Sequence, residues 1–134
     1  MKVVADTNVV AYYLLKTEPL VEEARRFWRA AFRPMAPAFW KAEFANVLWA
    51  VCKKGSVTAK GAYERLRLAD LLGVESVEVT SLWAGALARS LAADHPVYDT
   101  LFVELAEREG CPLATFDQKL LKKFPEKARR PRDV

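Results

Sequence analysis

Histidine occurs once in this chain and cysteine twice, so the residue types that build zinc sites and disulfide frameworks are nearly missing from its 134 positions. Cys52 and Cys111 have neither CxxC spacing nor a nearby histidine, which argues against a structural metal site. A disulfide between them stays open, although nothing requires one. No N-terminal signal precedes the first strand, and a cytoplasmic protein is expected. Long apolar runs are also missing. The longest, Ala42 to Cys52, carries Glu43 and Asn46 and falls far short of the roughly 20 residues needed to cross a bilayer. Glycine is scarce at five residues, and there is no repeat, linker or low-complexity tract, which argues against fibrous and disordered classes. Neither sign of charge dominates. Twenty-one basic against 17 acidic residues leave a net +4, a weak pointer to a polyanionic partner because steering at a distance is screened in salt.

The composition that remains, 52% hydrophobic with 28% charged, is that of a globular chain, and its length fits a single domain over residues 1–134. From about residue 125 the chain turns basic; Arg129, Arg130 and Arg132 read as a solvated end that could also track phosphates. Met1 to Asn8 reads as a buried strand ending in a polar turn, followed by a short helix from Val9 to Leu15. Glu18-Pro19 opens an amphipathic helix in which Leu20, Ala24, Phe27, Trp28, Ala31 and Phe32 share one side. Met35–Pro37 is a very short strand, Ala38–Lys54 a long helix stopped by Gly55, and Thr58 caps a helix running to Leu72. Ser76–Thr80 is expected as a strand, Leu82–Ala92 and Tyr98–Glu109 as helices, Pro112–Thr115 as a strand, and a last helix follows to about Lys123. Strands alternating with helices imply an α/β fold: a mostly parallel sheet with helices on both faces.

Four acids stand at unusual places. Asp6 and Asp117 each follow a strand, Asp99 lies in the first turn of a helix, and Glu43 shares a helix face with Phe39, Trp40, Val47 and Ala50. Each has an ordinary explanation: Asp6 and Asp117 as helix caps, Asp99 as an acid favoured by the helix dipole. Glu43 is harder to dismiss, because a carboxylate pointing at packed surface needs a partner, and Lys41 lies on the wrong face to supply one. Two strands of a parallel sheet end on the same edge, so Asp6 and Asp117 should be neighbours. Clustered acids without nearby arginines become reasonable when a divalent cation binds, and oxygen ligands suit Mg²⁺ or Mn²⁺. Such a centre performs metal-assisted phosphodiester chemistry, with a free carboxylate orienting or deprotonating water and with Asn8 and Thr115 in support.

Asp6-Thr7-Asn8 after an apolar strand, Glu43 with Asn46 one turn on, Tyr98-Asp99-Thr100-Leu101 opening a helix, and Thr115-Phe116-Asp117 with Lys119-Leu120 closely resemble the PIN domain, and within it the VapC-type toxins. The resemblance covers essentially the whole chain. It implies a Mg²⁺- or Mn²⁺-dependent endoribonuclease acting on RNA, usually a homodimer, inhibited by a small DNA-binding antitoxin. It also implies an acidic site of Asp6, Glu43, Asp99 and Asp117, with Asp6, Asp99 and Asp117 as metal ligands and Thr115 as the supporting hydroxyl.

His95 invites a general-base role, but its place after a helix and before Pro96 favours a loop or capping role. Trp28, Trp40, Trp49 and Trp83 lie at helical spacing with other apolar residues and read as core or interface rather than base-stacking platforms. Arg25, Arg26, Arg29 and Lys119 are candidate phosphate contacts. Two other classes compete. A non-catalytic RNA-binding or regulatory module on the same fold is disfavoured by retention of all four acids. An aspartyl-phosphate phosphatase usually has a second Asp two residues after the first, where this chain has Asn8, and a receiver domain needs a phospho-accepting Asp after a central strand with a lysine opposite; neither pattern is found.

Overall fold

Val3, Val4 and Ala5 are almost fully buried, and an uncharged run of this kind suits a strand covered on both faces. In the computed structural model, which describes residues 1–30 and 32–134, this segment is β1 (Lys2–Ala5) and lies at the centre of the sheet. It pairs on one side with β2 (Arg33–Pro37) and on the other with the fourth strand, Leu113–Ala114. With β3 (Glu75–Val77) and β5 (Ala128–Arg129) at the edges, the order among the described residues is β3-β2-β1-β4-β5, every pairing parallel.

The strand pleat divides the core. Val3 and Ala5 face a cluster with Val9, Ala24, Phe27, Ala114 and Phe116, under α1 (Thr7–Leu14) and α2 (Val21–Arg29). Val4 faces the larger cluster with Trp40, Phe44, Leu48, Leu101, Phe102 and Leu105. That side is covered by α3 (Trp40–Lys53), α4 (Ala59–Asp70), α5 (Trp83–Ala93) and α6 (Val97–Glu109). Helices therefore cover both faces, as the alternation of elements implies. The helix α6 is buried continuously from Thr100 to Ala106, and its first turn sits near the carboxyl edge of the sheet. Successive crossovers build β2 and β3 on one side of β1, and the later chain returns to the other side. The gap between the ends of β1 and β4 is thus the topological switch point, where open α/β sheets place their ligands.

Local signals explain several boundaries. Thr58 Oγ1 accepts from the Gly61 backbone N–H at 3.0 Å and starts α4. Gly110, with φ 61°, ends α6 in the left-handed conformation that glycine adopts without penalty. The expected strand at Ser76–Thr80 is shifted: β3 covers Glu75–Val77, and Val79–Ser81 forms a 3₁₀ turn. There the Ser81 hydroxyl donates to the Glu78 carbonyl at 2.9 Å and the Leu82 amide to Val79 at 2.8 Å, satisfying the backbone locally instead of in the ladder. The amphipathic helix closes at Arg29, and the apolar position assigned to Ala31 lies outside the described residues.

The C-terminal segment is not a solvated tail. Leu113 and Thr115 donate to Lys127 and Arg129 carbonyls at 2.9 Å each, forming β5. Beyond it the Arg130 guanidinium grips Glu23 of α2 through two hydrogen bonds, 3.1 and 2.5 Å, and lies over the Phe116 ring. Both cysteines are free thiols. Trp40 is buried and Trp28 partly so, each with its indole N–H bonded, whereas Trp49 and Trp83 are exposed. Among the described residues no helix is long and apolar enough to cross a membrane.

Candidate active site

Asp6 follows β1 directly and stands at the N-cap position of α1 with extended backbone, φ −67° and ψ 150°, yet its side chain makes no capping bond. The capping explanation fails for this residue. Its Oδ2 instead accepts the Thr115 hydroxyl at 2.8 Å across the switch point, with the Asn8 amide more distant at 3.5 Å. Thr115 is fully buried, and its oxygen also accepts from the Asp117 amide at 3.0 Å. Asn8 completes the stitch between the two strand ends, its Oδ1 accepting the Phe116 amide at 3.2 Å. Burial, with Asp99 and Glu43 adding repulsion, pushes the Asp6 carboxyl up from 3.8 to about 7, against the lowering effect of the Thr115 hydroxyl and the Thr7 backbone N–H.

Glu43, in the first turn of α3, accepts the Thr7 hydroxyl at 2.7 Å. Burial raises its pKa, the Thr7 hydrogen bond lowers it and Asp99 raises it further. Asp99, in the first turn of α6, takes the His95 imidazole at 2.7 Å between Nε2 and Oδ2. Asp117 does cap a helix: its Oδ1 accepts from Lys119 and Leu120 amides at 2.8 and 3.3 Å, opening α7 (Gln118–Lys123). This duty engages one of its two carboxylate oxygens.

All four acids line one open cleft of about 370 Å³ at the sheet edge, together with Thr7, Asn8, Tyr12 and Asn46. Thr115 lies behind Asp6. No lysine or arginine is among the cleft-lining residues described, which leaves the negative charge without an internal cation. A larger cleft of about 470 Å³ lies between α2 and the C-terminus, but its Glu22 and Glu23 are already paired with Arg25 and Arg130. None of the phosphate-contact candidates Arg25, Arg26, Arg29 and Lys119 lines the acid cleft.

Whether these residues suit a divalent ion turns on the donors themselves. All are hard oxygens, and Asp6 is pushed toward protonation first by burial and then by the charges of Asp99 and Glu43, a condition that a cation relieves. Among the described residues no three acidic, histidine or cysteine side chains form a ready-made cage. Mg²⁺ does not require one, because it keeps several waters and binds through one or two carboxylates. The set fits such a lightly held ion.

Two contacts to the cleft acids went unread in the sequence. His95 stands in the loop between α5 and α6, as expected, but its ring is buried against Asp99; its i,i+4 spacing from an acid was the available signal. Thr7, the partner of Glu43, offered none, because the two residues are 36 positions apart.

The chain is 32% identical over 127 residues to Ribonuclease VapC3 of Mycobacterium tuberculosis, covering 92% of this chain and 88% of that protein. Among solved structures it resembles a Pyrobaculum aerophilum protein with a TM-score of 0.71 at 20% identity, covering 96% and 83% of the two chains. It also resembles VapBC2 from Rickettsia felis bound to a promoter DNA fragment, with a TM-score of 0.68 at 15% identity and 97% and 98% coverage. A toxin-antitoxin complex from Klebsiella pneumoniae matches with a TM-score of 0.66 at 17% identity, covering 96% and 97%. These structural likenesses carry the fold. Residues 3–127 match the PIN domain, and the chain belongs to the PIN domain family.

Proposed function

We propose that the chain is a Mg²⁺- or Mn²⁺-assisted endoribonuclease that hydrolyses RNA phosphodiester bonds in the Asp6 cleft, the toxin half of a toxin-antitoxin pair. One observation carries this reading: Asp6 is buried at the switch point, uncapped, and pushed to about 7 by its burial and by the charges of Asp99 and Glu43. A protein that needed Asp6 only to tie the end of β1 to that of β4 through Thr115 would not need Asp99 and Glu43 gathered beside it. The relationship to Ribonuclease VapC3 supports the reaction, and the toxin-antitoxin neighbours support a small antitoxin as partner.

Asp6 and Asp99 are the proposed ion ligands, with the oxygen of Asp117 left free by its cap as a third. When bound, the ion supplies Lewis acidity toward a phosphoryl oxygen and toward water. Glu43, its carboxyl raised by burial and steadied by Thr7, is placed to orient water and accept its proton. Thr115 fixes one oxygen of Asp6 by donating to it. A second copy of the chain is a further proposed partner; Trp83, Leu87 and Leu91 recur every fourth residue on α5 and are more than half exposed.

Incubating a structured RNA with the purified protein, with Mg²⁺ or Mn²⁺ and then with excess EDTA, tests the proposal. Cleavage is expected only with the metal and only with Asp6 intact. Cleavage that persists in EDTA removes the metal; RNA bound but never cut favours the non-catalytic module.

A further inference from the structure

We propose that His95 is a positioning residue of this site, holding the Asp99 carboxylate in its working orientation. The proposal rests on the reading of Asp99 as an ion ligand. The contact itself is short, 2.7 Å from Nε2 to Oδ2, and the imidazole is only 2% exposed whereas Asp99 is 30% exposed. A carboxylate offers only acceptors, so Nε2 is the donor whichever charge the ring carries.

The ring is itself clamped from several elements. Asp94 closes α5 in the left-handed conformation at φ 53°, and the His95 amide donates to Ser90 at 3.3 Å. From α7, Lys123 Nζ donates to the Asp94 carbonyl at 2.5 Å. Phe124, just past α7, meets the imidazole edge-on with ring centres 6.0 Å apart. Pro96 then starts α6. The donor is thus held by groups that do not line the cleft, and it reaches Asp99 from the buried side.

This matters because Asp99 occupies the first turn of a helix at the rim of an open cleft, where a short side chain has more than one rotamer open to it. With Oδ2 occupied by His95, the carboxylate is fixed and Oδ1 accepts no hydrogen bond among the described residues. Hydrogen bonds to a ligating carboxylate orient it, and their loss weakens metal affinity by roughly 10- to 100-fold. A plain tie between loop and helix would stabilise the fold without touching the ion.

The two are separable with the metal alone. His95 is the chain's single histidine, so its imidazole gives one unambiguous ¹H–¹⁵N signal. In the parent protein that signal should report a protonated Nε2 and should shift as Mg²⁺ is titrated. His95→Leu, which keeps apolar packing and removes the donor, should bind Mn²⁺ roughly 10- to 100-fold more weakly by electron paramagnetic resonance, and lower kcat more than it changes KM. His95→Gln, whose amide can donate, should recover part of both. An imidazole signal unmoved at saturating Mg²⁺ overturns the proposal even if His95→Leu fails to fold. Asp99→Asn separates the two levels. If it binds Mn²⁺ as the parent does, Asp99 is not a ligand. If it loses Mn²⁺ while His95→Leu keeps it, only the role of His95 falls.

Discussion

Replacing Asp6 by Asn should make the metal-free protein more stable at neutral and mildly alkaline pH while abolishing cleavage. The folded-state pKa is raised, from 3.8 to about 7, so the folded form binds the proton more tightly than the unfolded chain. Stability from this group is therefore complete below pH 3.8 and is lost as pH rises through about 7. The difference of about three units, at about 1.36 kcal/mol per unit, sets a ceiling on the order of 4 kcal/mol for the penalty of ionising Asp6 in the empty site. Asn carries no charge and its Oδ1 can still accept from Thr115 (2.8 Å in the parent), so the variant should avoid most of that penalty. For a chain of this size, roughly 3 °C per kcal/mol puts the gain in Tm on the order of 10 °C at most. Circular dichroism melts of both proteins in EDTA, from pH 4 to pH 8, should give a falling curve for the parent and a flatter one for the variant. Saturating Mn²⁺ should raise the parent, by about 2.7 kcal/mol at a hundredfold excess over Kd, and leave the variant almost unmoved. Parallel pH curves with equal metal responses would refute the reasoning.

Thr115→Val removes the hydroxyl that lowers the Asp6 pKa and satisfies the Asp117 amide; we expect a loss of about 1–3 kcal/mol and an alkaline shift of the pH–cleavage profile. Gly85→Ala would place a Cβ 2.1 Å from the Glu104 carboxylate across the α5–α6 contact; because Glu104 is only 7% exposed it has little room to swing aside, and urea titration should show a loss of about 1–3 kcal/mol. Arg130→Ala leaves Glu23, whose side chain is 13% exposed, without its partner; limited proteolysis should then cut the segment after β5 sooner than in the parent, and equal protection would disprove the clasp.

The centre of the sheet was legible because β1 is hydrophobic on both faces and ends at a sudden change of polarity. The same holds for Glu43: an acid on an apolar helix face stands out in one dimension. β5 was hidden because two residues, Ala128 and Arg129, are too few for any alternation to register, and because arginines look solvated until a distant Glu23 is placed beside one. The strand β3 was misplaced since Val77 and Val79 continue an alternating pattern that the Ser81 hydroxyl interrupts. His95 was read from Pro96 and the preceding helix, whereas the acid four residues on was overlooked and its other neighbour, Phe124, is supplied only by tertiary structure.

The bond from Thr115 to Asp6 joins residues 109 positions apart, and this separates the two halves of the cleft in time as well as in sequence. Asp6 leaves the ribosome first. The β4 end that steadies it follows, at roughly 5–20 residues per second, several seconds later. Through that interval the nascent chain gains Glu43 and then Asp99 but still lacks Thr115 and Asp117, so Asp6 has no hydroxyl to hold it. On the proposed site, the cleft is therefore complete only once the segment from Thr115 to Asp117 has been made, long after Asp6 and Glu43.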